Sequence, residues 1–194
     1  QNNGVFTATD GTLIFAGDFT ARAGSSFTAS SGATYFLTDA DFSAMTVEND
    51  FKHNGGTIYF YNTDTTEIQL KTPNATVSFN NLYMAGNTVL SATNTFSCSN
   101  LYMEVPDSVD SAYQQDGSFL VRIVGNSVTV TETVLYRCNN VDNSDVTGTL
   151  RIETPTFTSS TSLYMHSGTN LEVGNGTSAT QMSFSPFTDG STAD

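Results

Sequence analysis

Positive charge is what this chain has least of. It holds six Lys plus Arg against 19 Asp plus Glu in 194 residues, a net charge of −13 with a pI near 4.1. That balance repels phosphate backbones and anionic lipid heads, so neither nucleic acid nor an anionic bilayer is an expected partner. No run of 18 apolar residues occurs, which removes a spanning helix and with it membrane insertion of that kind. No stretch repeats apolar residues at i, i+3, i+4 and i+7 between caps, so almost no helix is expected.

Reactive side chains are equally scarce. The only near-neutral bases are His53 and His166, no G-x-S-x-G elbow supports a nucleophile, and no enzymatic activity is expected. Asp39 with Asp41 and Asp142 with Asp145 could act as acid and base on a neutral glycan, but turn chemistry explains both pairs more simply. The cations are scattered singly, which does not suit an acidic sugar. The oxygen-rich run from Asn139 to Asp145 does not match the EF-hand spacing, and no metal or cofactor is expected. The cysteines are Cys98 and Cys138. They fit one disulfide or two buried free thiols, and sequence leaves both open because pairing needs Cα atoms within about 7 Å.

What is present favours strands and turns. Hydrophobic residues make up 38%, with 14 Phe and 8 Tyr, and Ser, Thr, Asn, Gly and Asp fill most of the rest. A chain of this length suits one domain spanning residues 1–194, since it can bury roughly two thirds of its unfolded surface. It begins at Gln1 rather than Met, which reads as the product of signal-peptide removal and gives the expectation of a secreted, extracellular or cell-surface protein. Asn74 and Asn175 open glycosylation sequons.

The chain also repeats itself. With an offset of 19, the run Thr76 to Met84 and the run Thr95 to Met103 share six of nine residues, and Thr57 to Asn62 extends the pattern one step back. Looser copies start at Gly11, Thr34, Ser127, Gly148 and Gly168. A period near 20 with short strands between Gly, Asn and Asp predicts an all-β solenoid, a parallel β-helix whose coils bury their faces only when stacked. An antiparallel β-sandwich is the alternative fold.

The period-2 rule points Val77, Phe79, Leu82 and Met84 inward and Ser78 and Tyr83 outward. It sets Phe60, Phe79 and Cys98 in one interior column, with Asn62, Asn81 and Asn100 as an Asn ladder at a turn between strands. Thr12, Thr34, Thr57, Thr76 and Thr95 share a position, but the next outward one varies as Tyr59, Ser78, Ser97, so no flat ice-binding Thr array results. The step from Thr95 to Ser127 is 32 residues, and its excess, residues 104–117, reads as an excursion loop on one face.

Together these coils, rich in Asn, Thr and Gly, resemble the parallel β-helix of haemagglutinin-type adhesins over roughly Thr12 to Phe184. The resemblance is one of texture and period and lacks a diagnostic motif; no calcium-type Gly-Gly-x-Gly-x-Asp repeat occurs. It implies adhesion or an extracellular structural role. The competing reading is a carbohydrate-binding or carbohydrate-cleaving module. Tyr59, Tyr61, Tyr83, Tyr102 and Tyr164 are expected to form an outward stripe that serves a protein interface, or a glycan or cell-surface receptor. Val5 and Phe6 at one end, and Met182, Phe184 and Phe187 at the other, are apolar and β-prone, which predicts open sheet edges and a head-to-tail homopolymer.

Overall fold

The computed structural model describes residues 4–16, 19–38, 44–47, 50–62, 68–72, 77–103, 119–136, 148–165, 169–174 and 181–183, and no helix occurs among them. The strands run β1 (Val5–Thr7), β2 (Thr12–Ala16), β3 (Phe19–Ala21), β4 (Ser26–Thr28), β5 (Ala33–Thr38) and β6 (Ala44–Val47). Next come β7 (Asp50–Lys52), β8 (Thr57–Asn62), β9 (Ile68–Thr72), β10 (Val77–Ala85), β11 (Thr88–Met103) and β12 (Phe119–Tyr136). β13 (Gly148–Ile152), β14 (Thr156–Ser159), β15 (Leu163–Met165), β16 (Thr169–Val173) and β17 (Gln181–Ser183) complete the set.

Every strand pairing among the described residues is parallel, from β1 on β4 to β14 on β17. An antiparallel sandwich is therefore not the fold. The pairings form three ladders. A tyrosine ladder joins β2, β5, β8, the second half of β10, and stretches of β11 and β12, ending on β15. A second ladder joins β3, β6, β9, the starts of β11 and β12, then β13 and β16. On the third side, β1, β4 and β7 form one sheet, and the start of β10 leads through β11, β12 and β14 to β17. The chain visits these three in a fixed order, so each pass adds one strand to each ladder.

The passes are less even than the sequence implies. In the tyrosine ladder the aligned residues are Ile14, Tyr35, Tyr59, Tyr83, Tyr102, Leu135 and Tyr164, so the step varies from 19 to 33 residues. The longest falls between Tyr102 and Leu135 and contains the predicted excursion at 104–117, which lies outside the described residues. From β8 to β10 the step is 24, Thr57 to Asn81, rather than 19. This moves two predicted columns. Phe60 pairs with Met84 instead of Phe79, and Asn81 pairs with Thr57 instead of Asn62.

Apolar residues at alternate positions fill the interior. Ile58, Phe60, Leu82, Met84, Leu101 and Met103 from the tyrosine ladder are completely buried. A chain of rings runs along the third side: Phe6 stacks on Phe27 at 5.2 Å, Phe27 on Phe51 at 5.5 Å, and Phe51 meets Phe79 at 5.0 Å, which meets Phe96 at 5.3 Å. Each fully buried ring contributes about 1.5–3 kcal/mol by leaving water. The predicted register holds at Val77, Phe79, Leu82 and Met84, all buried, with Ser78 exposed. Thr34 departs from the outward Thr column: it is fully buried, pairs with Leu13 and Ile58, and its Oγ1 accepts a bond from the Ser30 N–H at 3.2 Å.

Tight turns connect the third side to the tyrosine ladder. Gly11, with φ +84°, and Gly55, with φ +74°, occupy the left-handed region that glycine enters without a Cβ penalty. At Gly56 the reason is closeness: a Cβ there would collide with the Ser30 carbonyl oxygen of the neighbouring pass. Successive turns bond to one another, Ala33 N–H to Gly11 O at 3.1 Å and Thr57 N–H to Gly32 O at 2.8 Å.

Candidate functional site

The outward positions of the tyrosine ladder make the most ordered surface feature. Tyr35, Tyr59, Tyr83 and Tyr102 lie at one register position on successive parallel strands. Parallel pairing holds adjacent strands about 4.8 Å apart, a spacing at which identical planar side chains stack. Their ring centroids are 4.4, 4.8 and 4.5 Å apart in chain order, with interplanar angles of 7°, 27° and 23°. All four are half-buried. Both faces of Tyr59 and Tyr83 are therefore covered by neighbouring rings. A sugar stacks on a free ring face, so the middle of the ladder presents ring edges and phenol oxygens rather than sugar platforms.

Three of the predicted tyrosines join this stack and two do not. Tyr59, Tyr83 and Tyr102 are in it. Tyr164 shares the column but is separated from Tyr102 by the register position of Leu135, and it is exposed. Tyr61 is the correction: it has the parity of an outward residue, yet it is only 2% exposed. Burial pushes its phenol well above the ordinary tyrosine value. Tyr35 was missed, although a shift of 24 aligns Thr34-Tyr35-Phe36 with Ile58-Tyr59-Phe60; the period of 19 hid that signal.

Beside the rings runs a short polar column. The Asn100 amide donates to Asn81 Oδ1 at 2.9 Å, and the Asn81 amide donates to Thr57 Oγ1 at 3.3 Å. Asn100 also donates to Glu132 at 3.0 Å. The predicted Asn ladder thus exists for Asn81 and Asn100, with Thr57 in place of Asn62. It sits inside continuous strands, not at a turn, and neither Asn has a positive φ.

In the second ladder, Arg122 and Arg151 are register neighbours, a grouping hidden in sequence by an offset of 29 positions. Arg122 makes a bidentate pair with Glu153, 3.1 Å on each nitrogen, and Arg151 pairs with Glu172 at 2.5 Å. His53 has a local role: its Nδ1 accepts the Gly55 N–H at 2.9 Å in the turn. Cys98 points into the core between Phe79 and Val130 as a free thiol, raised well above its usual range by burial. Cys138, His166, Asn74 and Asn175 lie outside the described residues, as do both predicted Asp pairs and the run 139–145.

The ends of the ladders form the other surface feature. Among the described residues, the exposed large apolar side chains are Val5, Phe6 and Ile14 on the first strands and Tyr164, Met165, Leu171 and Val173 on the last. A cleft of about 280 Å³ opens at the first end, floored by Phe6, Phe19 and Phe27 and rimmed by Arg22. Of the predicted edges, Val5 and Phe6 are 78% and 44% exposed. Met182 is aligned with Phe157 in the last strand, while Phe184 and Phe187 lie outside the described residues. No protein family, no curated protein and no solved structure matches this chain.

Proposed function

We propose that this chain is a β-solenoid and an extracellular structural or adhesive protein, a subunit that joins other copies head to tail. The observation that carries the reading is the place of the exposed apolar side chains, on the first and last strands. A terminal strand offers unpaired N–H and C=O groups as well as apolar side chains, which is what another strand needs in order to add. Its two ends differ, so the contact is heterologous, and a heterologous contact that does not close builds a filament. Parallel pairing of every described strand and the fixed order of the ladders support the solenoid.

Light scattering and electron microscopy of the purified chain test this. Concentration-dependent filaments are expected, and Ile14→Asp or Val173→Asp should dissolve them while leaving the circular dichroism unchanged. A stable monomer at high concentration would overturn the assembly. Specific glycan-array signals lost in Tyr35→Ala and Tyr102→Ala, the two outer rings, would replace it with the carbohydrate-binding reading.

A further inference from the structure

We infer that the stack Tyr35, Tyr59, Tyr83 and Tyr102 is a site of oxidative cross-linking, at which a peroxidase and hydrogen peroxide join neighbouring passes through dityrosine bonds. The extracellular reading supplies the oxidising setting; the geometry is independent of end-to-end assembly.

Three features of the ladder suit the reaction. The rings are held at centroid separations of 4.4 to 4.8 Å. They share one register position on successive strands and stack with interplanar angles of 7° to 27°, so each ring lies directly beside the ring it would join. The rings are half-buried, so part of each stays in reach of a small oxidant or radical carrier. Tyr61, by contrast, is buried, and Tyr164 is paired with Leu135 in the strand described beside it.

The chemistry balances as follows. Two phenols each lose the hydroxyl hydrogen atom to the oxidised peroxidase and become phenoxyl radicals, whose spin is shared with Cε. The two Cε atoms couple, forming one carbon–carbon bond. The hydrogens on those carbons then move to the oxygens as protons, which restores both phenols. Two protons and two electrons have left the pair, and they reduce one hydrogen peroxide to two waters. Each bond closes a loop between consecutive passes, residues 35 to 59, 59 to 83 or 83 to 102, and a closed loop restricts the unfolded chain much as a disulfide does. Because Tyr59 and Tyr83 each have two partners, the four rings form at most two bonds through separate pairs, with a third only if Tyr59 and Tyr83 each couple at both Cε atoms.

The test uses the full chain at a dilution where it is monomeric, treated with a haem peroxidase and hydrogen peroxide. Expected are blue dityrosine fluorescence in the monomer fraction, a loss of two hydrogens per bond by intact mass, linked peptides from 35–59, 59–83 or 83–102, and a raised melting temperature. Changing Tyr59→Phe and Tyr83→Phe together keeps the rings stacked but removes every adjacent phenol pair, and the monomer fluorescence should fall several-fold. Fluorescence confined to multimers, or monomer links that persist in that double variant, would overturn the proposal. Since the reaction is read in monomers, its failure leaves the filament untouched, and a chain that never assembles leaves this site standing.

Discussion

Replacing Thr88 by Val should make the protein more stable. Thr88 belongs to a column whose neighbours are Ile68 on β9 and Val121 on β12, followed by Leu150. It is fully buried, as are Val121 and Leu150, and its Oγ1 has no hydrogen-bond partner among the described residues. A buried hydroxyl without a partner costs about 1–3 kcal/mol, because it has left water and gained nothing in return. Valine has nearly the same shape, so the swap removes that cost without opening a cavity. The expected gain is about 1–3 kcal/mol, and in a chain of this size each kcal/mol raises the melting temperature by roughly 2–4 °C. Urea unfolding of both proteins measures it: the midpoint should rise with the slope unchanged. A Val variant that is less stable, beside a Ser variant that is no worse, would show that the hydroxyl is satisfied and refute the reasoning.

Gly56→Ala should destabilise by about 1–3 kcal/mol, since the new Cβ meets the Ser30 carbonyl backbone and not a movable side chain; unfolding by denaturant reads it. Phe79→Asp should unfold the domain by placing an unpaired charge in the core, whereas the exposed Ser78→Asp should stay within about 0.5 kcal/mol of the parent, and equal effects would refute the register. At high pH the folded state holds protons on Cys98 and Tyr61 that the unfolded state has released, because burial raises both groups. Stability is therefore full below the ordinary thiol and phenol values and falls as pH climbs through roughly 8.5 and then 10. Tyr61→Phe should flatten the upper part of that fall, and a thiol reagent should label Cys98 only on unfolding.

The sequence by itself determined the strand content, the side-chain parity and the near-repeat of β10 and β11. Those are local properties: alternation in Val77-Ser78-Phe79 fixes which side is apolar, and the copies at Asn81-Leu82-Tyr83 and Asn100-Leu101-Tyr102 must align once the strands are parallel. Only the tertiary structure decided which residues meet between passes of unequal length. Extending the offset of 19 beyond one repeat put Asn62 beside Asn81 and hid Tyr35, whereas the sheet takes a step of 24 there. A turn can absorb extra residues at little cost in closure entropy, while a slip of one residue would expose the Ile58 and Phe60 face; burial therefore holds the strand register and lets the loop length vary. Tyr61 has an outward parity legible in the sequence, yet the fold buries it. Arg122 and Arg151 are scattered in the chain and adjacent only because β12 and β13 pair.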